Sequence, residues 1–512
     1  MGTFGSHDLT VMAGFENYYM KDEELTAARD KYELTGYPYL NIGSEDFQTN
    51  SGKGSEYTSN SVFGRVIYSY ADRYLFQANI RHDGSSRFAK GYRWGTFPSF
   101  SAGWVMSEEK FMKSLNWDWL SFLKLRGSWG ILGNERIGDD YFPYIALMSF
   151  GNSLFYMADG SVVSDKTARP AILAVEDITW ETTTSTDFGL DANFFNNRLQ
   201  FHFDYYWKQT KDMLLKIEIP YFMGYNNPNT NAGKMSTHGY DIELAWNDRI
   251  GDLQYGVNVN FSDFLSKIDY MNDGEQISNG KIKRAGVLFN EYYGYVCDGI
   301  YQTQEEVNNS ARTSTTVTVG DLKYRDISGP DGVPDGIISP EYDRVPLGNS
   351  LPRFQYGGTF NASYKGIDFS IAFQGIGKQN SYLSTAMVQP LRDNYGSVPS
   401  IIEGKYWSPF NTAEENLSAR YPRLSNVSKS NNYATSSFWM FNGSYFRLKN
   451  LTLGYTLPET WTQKAGIDRV RFYISGSDLF CLSNFPDGWD PEMGASSYPI
   501  TTSLVMGLQV NF

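Results

Sequence analysis

The chain closes on Thr501–Phe512, TTSLVMGLQVNF. Leu504, Met506, Leu508, Val510 and Phe512 alternate with Ser503, Val505, Gly507, Gln509 and Asn511. That period of two marks a strand with one greasy and one more polar face. It runs to the final residue, an aromatic one. A soluble fold gains little from an exposed terminal Phe. An outer-membrane barrel must pair its last strand and sets its strand ends among aromatic side chains. A periplasmic end for this strand fixes the direction of every earlier one.

The composition agrees. The 512 residues include 37 Tyr and 34 Phe, 16% aromatic in all, yet the mean hydropathy is −0.42. An aromatic but hydrophilic chain fits a lipid-facing band around a wet lumen with long polar loops. A secreted β-rich binding protein shares this composition. No run approaches the roughly 18 apolar residues of a membrane helix, which excludes helical membrane proteins but not barrels. The net charge of −13 and pI near 5.0 disfavour a nucleic-acid partner. Two cysteines, Cys297 and Cys481, fall in different predicted loops and give neither a disulfide framework nor a metal site. Met1–Met20 lacks the basic start and apolar core of a signal peptide. Because a barrel must cross the inner membrane, the front of the protein is expected to precede this chain.

Working back through the chain, alternating strands are predicted at Leu9–Phe15, Val62–Tyr70, Tyr74–Arg81, Ser99–Met106, Leu123–Ile131, Thr186–Phe194, Leu199–Lys208, Tyr240–Asn247, Gln254–Ser262, Phe354–Tyr364, Ile367–Gln374, Tyr445–Thr456 and Val470–Ser477. The stretch Ser107–Asp118 reads as a longer connection with one helical turn, and Glu16–Asn60 as a long polar loop. In Tyr445–Thr456 the apolar register slips by one at Lys449-Asn450, which predicts a β-bulge. With the last strand this makes about fourteen, an even number as bacterial barrels have. Short gaps, such as Asp72-Arg73, Phe195–Arg198, Asn247–Asp252, Lys365-Gly366 and Pro458–Asp468, alternate with long ones. Short periplasmic turns and long extracellular loops produce that parity. Phe76, Ile80, Leu190, Phe201, Phe203, Ile371, Phe373, Phe472, Leu508 and Val510 are then expected to face lipid. Gln77, Asn79, Asp191, His202, Asp204, Asn258, Gln374 and Gln509 are expected to face inward. The loops holding Asp326–Asp343 and Trp407 should lie at the end opposite Phe512.

Several stretches resemble one family in its own order: RHDGSSRF (Arg81–Phe88), ITWETTTSTDFGLDANFFNNRL (Ile178–Leu199), NAGKMSTHGYDIELAW (Asn231–Trp246), GDLKYRDISGPDGVPDG (Gly320–Gly336) and SYFRLKNLTLGYTLP (Ser444–Pro458). The chain is similar to the SusC/RagA-type TonB-dependent outer-membrane transporters of Bacteroidetes. The resemblance implies an all-β, antiparallel transmembrane β-barrel, with residues 1–512 supplying about 14 C-terminal strands of a barrel of about 22 strands. The family's plug domain and first strands are not visible here. An unpaired edge in lipid costs several kcal/mol per orphaned N–H or C=O, so a gapped sheet is the expectation for this span alone. The resemblance further implies import of oligosaccharides, or of peptides, across the outer membrane. A SusD-like surface lipoprotein would cap the barrel, and TonB–ExbB–ExbD would energise it through the plug. The resemblance implies no cofactor.

Individual residues support two readings each. Asp326, Asp331, Asp335 and Asp343, with Ser328 and Glu341, lie in a Gly- and Pro-rich loop whose oxygens suit Ca²⁺. The spacing departs from an EF-hand, and Asx turns without metal use the same residues, so the turn reading is preferred. Trp407, Trp439 and Trp489 could stack on sugar or meet the lipoprotein cap, or could pack a loop core. Gln77, Asn79, Arg81, Lys124 and Arg126 could face the plug, and His202 and Asp204 share one polar strand face; a wet lumen lining needs the same residues. No Ser/His/carboxylate set with catalytic spacing is visible among four His, so the chain is read as no enzyme. A passive porin or structural barrel is the alternative to a transporter.

Overall fold

In a computed structural model, the described residues are 2–138, 140–272, 274–385, 388–391, 398–494 and 497–512. Fourteen long strands join in one sheet: β1 His7–Arg29, β2 Gln48–Tyr70, β3 Tyr74–Ser85, β4 Trp94–Val105, β5 Leu120–Asn134, β6 Glu181–Phe194, β7 Leu199–Lys216, β8 Asn229–Ile250, β9 Leu253–Met271, β10 Arg353–Tyr364, β11 Ile367–Lys378, β12 Tyr445–Thr456, β13 Arg469–Ser483 and β14 Ser503–Asn511. They lie in sequence order, with a three-residue strand, Gly2–Phe4, added beside β1. Among the described residues no helix is long and apolar enough to cross a membrane. The chain divides into two compact units. The first holds residues 1–104, 126–186 and 208–235, and the second 105–125, 187–207 and 236–512.

The tight turns are built from backbone that bends to positive φ. Ala71 and Asp72 turn β2 into β3, and Phe195, Asn196 and Asn197 turn β6 into β7. Lys365 and Gly366 both have positive φ, as a two-residue hairpin requires. A Cβ at Gly366 would also come within 2.6 Å of the Thr456 carbonyl oxygen, so glycine is needed there twice over. The connection between β4 and β5 carries a one-turn helix, Lys110–Ser114, as the sequence suggested.

Register separates two faces within each unit. In the first unit, Val11–Val66–Ala78–Phe100 and Phe15–Val62 lie on one face, and Phe76 and Ile80 join them. Met12–Arg65–Asn79–Ser99 and Glu16–Ser61–Asp83 lie on the other. In the second unit, Phe360–Ile371–Leu451–Gly476–Leu504 and Ala362–Phe369–Leu453–Ile474–Met506 make the apolar face. Its opposite is small and polar: Asn361–Ser370–Thr452–Ser475. The bulge is found at Lys449, which has no partner on β11 or β13 between Leu448 and Asn450. One extra residue restores Phe446 and Leu448 to the face of Leu451 and Leu453. The apolar side chains Ile80, Phe472, Leu504, Met506 and Leu508 stay exposed, as a lipid-facing band does.

Two expectations change. Glu16–Asn60 is mostly strand: β1 and β2 pair over 23 rungs, from His7↔Tyr70 to Arg29↔Gln48. At about 3.3 Å per residue these strands run roughly 75 Å, against an apolar band of about 25 Å. Beyond that band neither face needs apolar residues, so the alternation that marks a strand disappears while the pairing continues. The same extension lengthens β7, β8 and β9 past their predicted ends. The long connection between β5 and β6 also holds a nine-rung hairpin, Met148–Tyr156 with Val162–Pro170.

Candidate functional site

The polar wall of the first unit is a charged network. Arg81 Nη2 donates to Glu16 at 2.9 Å and to Ser61 at 2.7 Å, and its Nε donates to Asp83 at 2.7 Å. Gln77 accepts from Arg65 at 2.8 Å, and Asn79 donates to Ser99 at 3.1 Å. Gln77, Asn79 and Arg81 thus come together, and with Ser99, Ser128 and Gly130 they line an open groove of about 560 Å³. In the second unit, buried Asp191 accepts from His202 Nδ1 at 3.0 Å and meets Lys124 Nζ at 3.4 Å. Asp204 follows His202 on the same face of β7, partly buried. Arg126 lies half-buried in β5.

The described parts of the connections 272–352 and 379–444 fold together within the second unit. The first supplies a four-stranded antiparallel sheet, Glu275–Ser278, Lys281–Arg284, Glu291–Tyr295 and Arg344–Asn349. Its helix Gln304–Asn309 is capped by Thr303. The second supplies the helix Ala413–Ser418, started by a capping box of Thr412 and Glu415. Tyr295, Leu322, Tyr324 and Ile338 of one connection pack with Ala434 and Phe438 of the other. A buried polar knot joins them. Fully buried Asp321 accepts from Arg423 Nε at 2.7 Å, Ser428 at 2.9 Å, Asn432 at 3.0 Å and the Thr318 N–H at 3.0 Å. Satisfying every oxygen is what makes a buried carboxylate tolerable. Outside the knot, burial pushes the Cys297 thiol up to about 11 and the Tyr301 hydroxyl up to about 12.

Trp407 and Trp439 belong to this loop body, and Trp489 reaches it from the connection between β13 and β14. Trp439 is fully enclosed with Leu383, Val388 and Phe485, and its indole N–H donates to the Asn432 carbonyl at 2.7 Å. Trp489 packs at the edge of the same cluster. Trp407 is nearly buried and donates to Gln302 at 3.2 Å. Its ring lies over Gly320, where a Cβ would come within 2.3 Å and φ is +88°. The indole of Trp439 is thus enclosed in a loop core, shut away from solvent on both ring faces.

The four aspartates of the Asp-rich loop do not converge. Asp343, fully buried, accepts from the N–H groups of Ile327, Ser328 and Ser339. Asp326 accepts from Gly336 N–H at 2.7 Å, and Asp335 from Ile337 N–H at 2.9 Å. Asp331 lies in the turn between them. Among the described residues no group of three or more His, Cys, Asp or Glu is arranged to hold a metal. The loop's geometry is that of Asx turns. Its end is opposite Phe512: the Asn511 carbonyl meets Asp468 N–H at the connection between β12 and β13, whereas Asp326–Asp343 and Trp407 lie in the long connections.

Sequence reasoning missed the ion pairs that seat the loops. Arg353 forks onto Asp263 across β9 and β10, with Nη2 at 2.5 Å from Oδ2. Buried Arg447, in β12, holds Asp490 at 2.6 Å and also Glu492, both from the connection between β13 and β14. A charged residue inside an otherwise alternating strand was the available signal; its partners, more than 40 residues away, carried none.

A family model described as TonB dependent receptor-like, beta-barrel, matches residues 2–475. The chain belongs to this TonB-dependent receptor β-barrel family. TonB-dependent receptor P3 of Formosa agariphila is 30% identical over 100% of this chain and 51% of that protein. TonB-dependent receptor SusC of Bacteroides thetaiotaomicron is 29% identical over 100% of this chain and 49% of its own. The chain spans about half the length of the curated relatives it matches. Among solved structures, the RagAB peptide transporter superposes with a TM-score of 0.80 at 23% identity, covering 100% of this chain and 54% of that one. The SusC/RagA-type resemblance and the outer-membrane β-barrel assignment both stand, and the relatives are receptors rather than enzymes.

Proposed function

We propose that this chain is the C-terminal barrel portion of a SusC/RagA-like receptor that imports oligosaccharides or peptides across the outer membrane. It works with a SusD-like surface lipoprotein and is driven by TonB–ExbB–ExbD through a plug region. The observation that carries the reading is similarity to SusC along the whole chain, loops included. Polar strand residues in each unit, Gln77, Asn79, Arg81 and Arg126 in the first and Lys124, His202 and Asp204 in the second, suit a wet, plug-lined lumen. An outer body with a core of its own suits a surface that meets a capping partner. Trp489, at the edge of that core, is the tryptophan best placed to touch cargo or cap. The Asp-rich loop acts as a scaffold of turns, and no cofactor enters the mechanism.

The test is affinity purification of the tagged protein from its own outer membrane in mild detergent, followed by binding of two probes, maltoheptaose and a tryptic peptide mixture. Co-purification of a surface lipoprotein and retention of one probe class are expected. A steady, unselective conductance with neither companion nor retention would replace import with the passive-porin reading.

A further inference from the structure

Arg447 stands apart from the other wall cations of the second unit. Lys449, two residues on, is taken by Asp478 of the neighbouring strand at 2.7 Å. Arg447 instead reaches a loop. Its Nη2 donates to both oxygens of Asp490 at 2.6 Å, its Nε donates to Glu492, and Asp478 is 4.0 Å from Nη1. Gln374, its rung partner on β11, donates to the other oxygen of Glu492 at 2.9 Å. The loop is shaped for this: Glu492 N–H donates to Asp490 at 2.9 Å across Pro491, an Asx turn that turns both carboxylates toward one guanidinium. The guanidinium is almost wholly buried. The same connection carries Phe485 and Trp489, which pack against Trp439 of the loop body. Residues 484–494 therefore bridge a wall strand and the loop core.

We propose that Arg447 is the positioning residue that pins this last long connection down onto the polar wall, and so holds the loop body seated over it. The fork geometry matters. A guanidinium presents several donors in a rigid plane and serves two carboxylates at once; an ammonium is a point charge. Removing the arginine leaves Asp490, Glu492 and Asp478 together with Lys449 as the one remaining cation paired with them among the described residues, a strongly unfavourable arrangement for partly buried carboxylates. The loop then lifts. The consequence for import rests on the transporter reading above, but the pin itself does not, so the two can fail separately.

Hydrogen–deuterium exchange of the full chain purified from outer membranes tests it, comparing wild type with Arg447→Ala, Arg447→Lys and the double variant Asp490→Asn/Glu492→Gln. Exchange in residues 484–494 and 436–442 is expected to rise at least tenfold in Arg447→Ala and in the double variant. Strands β12 and β13 should stay as protected as in wild type, and Arg447→Lys should recover part of the loss. Unchanged loop exchange in both variants would overturn the pin. So would equal loosening of β12 and β13, which would make Arg447 a brace within the wall. If Arg447→Ala does not assemble, the double variant decides alone, because it alters no strand residue.

Discussion

Two regions stand out from the strands in different ways. Between β1 and β2 the chain continues as paired strand for 23 rungs, its outer half exposed on both faces and edged by surface ion pairs such as Lys53–Glu24 at 3.0 Å. The connections 272–352 and 379–444 instead build a core, with Trp439, Tyr301, Leu322 and Ile402 shut away from water. The first holds its shape by backbone hydrogen bonds, each worth about 0.5–1.5 kcal/mol net. The second holds by burial, where a single large side chain is worth several times that. Damage should therefore stay local in the first region and spread in the second.

Trp439→Ala should be the most disruptive single change. It removes a fully enclosed indole and the bond to the Asn432 carbonyl, and should cost the loop body about 3–5 kcal/mol. Limited proteolysis should then cut within 272–352 as well as 379–444, since both share the core, while the protection of β1 and β2 is unchanged. Cleavage confined to 379–444 would show that the two connections do not fold as one body.

A proline in the ribbon should do less. Ser55 pairs with Asp22, and Ser55→Pro deletes a ladder donor there, at a cost of about 1–3 kcal/mol. Exchange should quicken in 21–29 and 48–56 and remain slow in 7–15 and 62–70. Loss of protection down to His7↔Tyr70 would mean that the ribbon and the apolar-banded half melt together, contrary to the local picture.

How much of this was legible follows from the same contrast. Alternation reveals a strand only where its two faces meet different solvents. Leu9–Phe15 and Val62–Tyr70 were therefore visible, and Glu16–Asn60, wet on both sides, was not. The slip at Lys449 was visible because a one-residue insertion moves Phe446 and Leu448 out of step with Leu451 and Leu453. Gln77, Asn79 and Arg81 could be placed on one polar face by counting. That they meet Arg65, Ser99 and Glu16 depended on register, which the turns set. Asp321–Arg423 joins two separate loops and Arg447–Asp490 joins a strand to a distant loop, and no local pattern announces such a pair. Trp439 could be assigned to a loop but not to its inside: an aromatic in a loop looks the same whether it stacks on a ligand or fills a core.

The smallest effect sharpens the comparison chemically. Cys297 belongs to the loop body, and burial raises its thiol to about 11. The raised value means that the folded body holds its proton where an unfolded chain, near the ordinary thiol value of about 8.5, releases it. The contribution of this thiol to stability is therefore fully present below about pH 8.5 and is lost as pH climbs toward 11. At pH 8 the raised value lowers the thiolate fraction by roughly two orders of magnitude or more, and the thiolate is the reactive form. Maleimide labelling of Cys297 should accordingly be slow in the folded protein at pH 8 and quicken steeply between pH 9 and 11. In Trp439→Ala it should already be fast at pH 8, because the opened core rehydrates the sulfur; in Ser55→Pro it should match wild type. Rapid labelling of Cys297 in the intact protein at pH 8 would show that the loop body is not closed around it, and the division between a ribbon held by pairing and a body held by burial would then have to be abandoned.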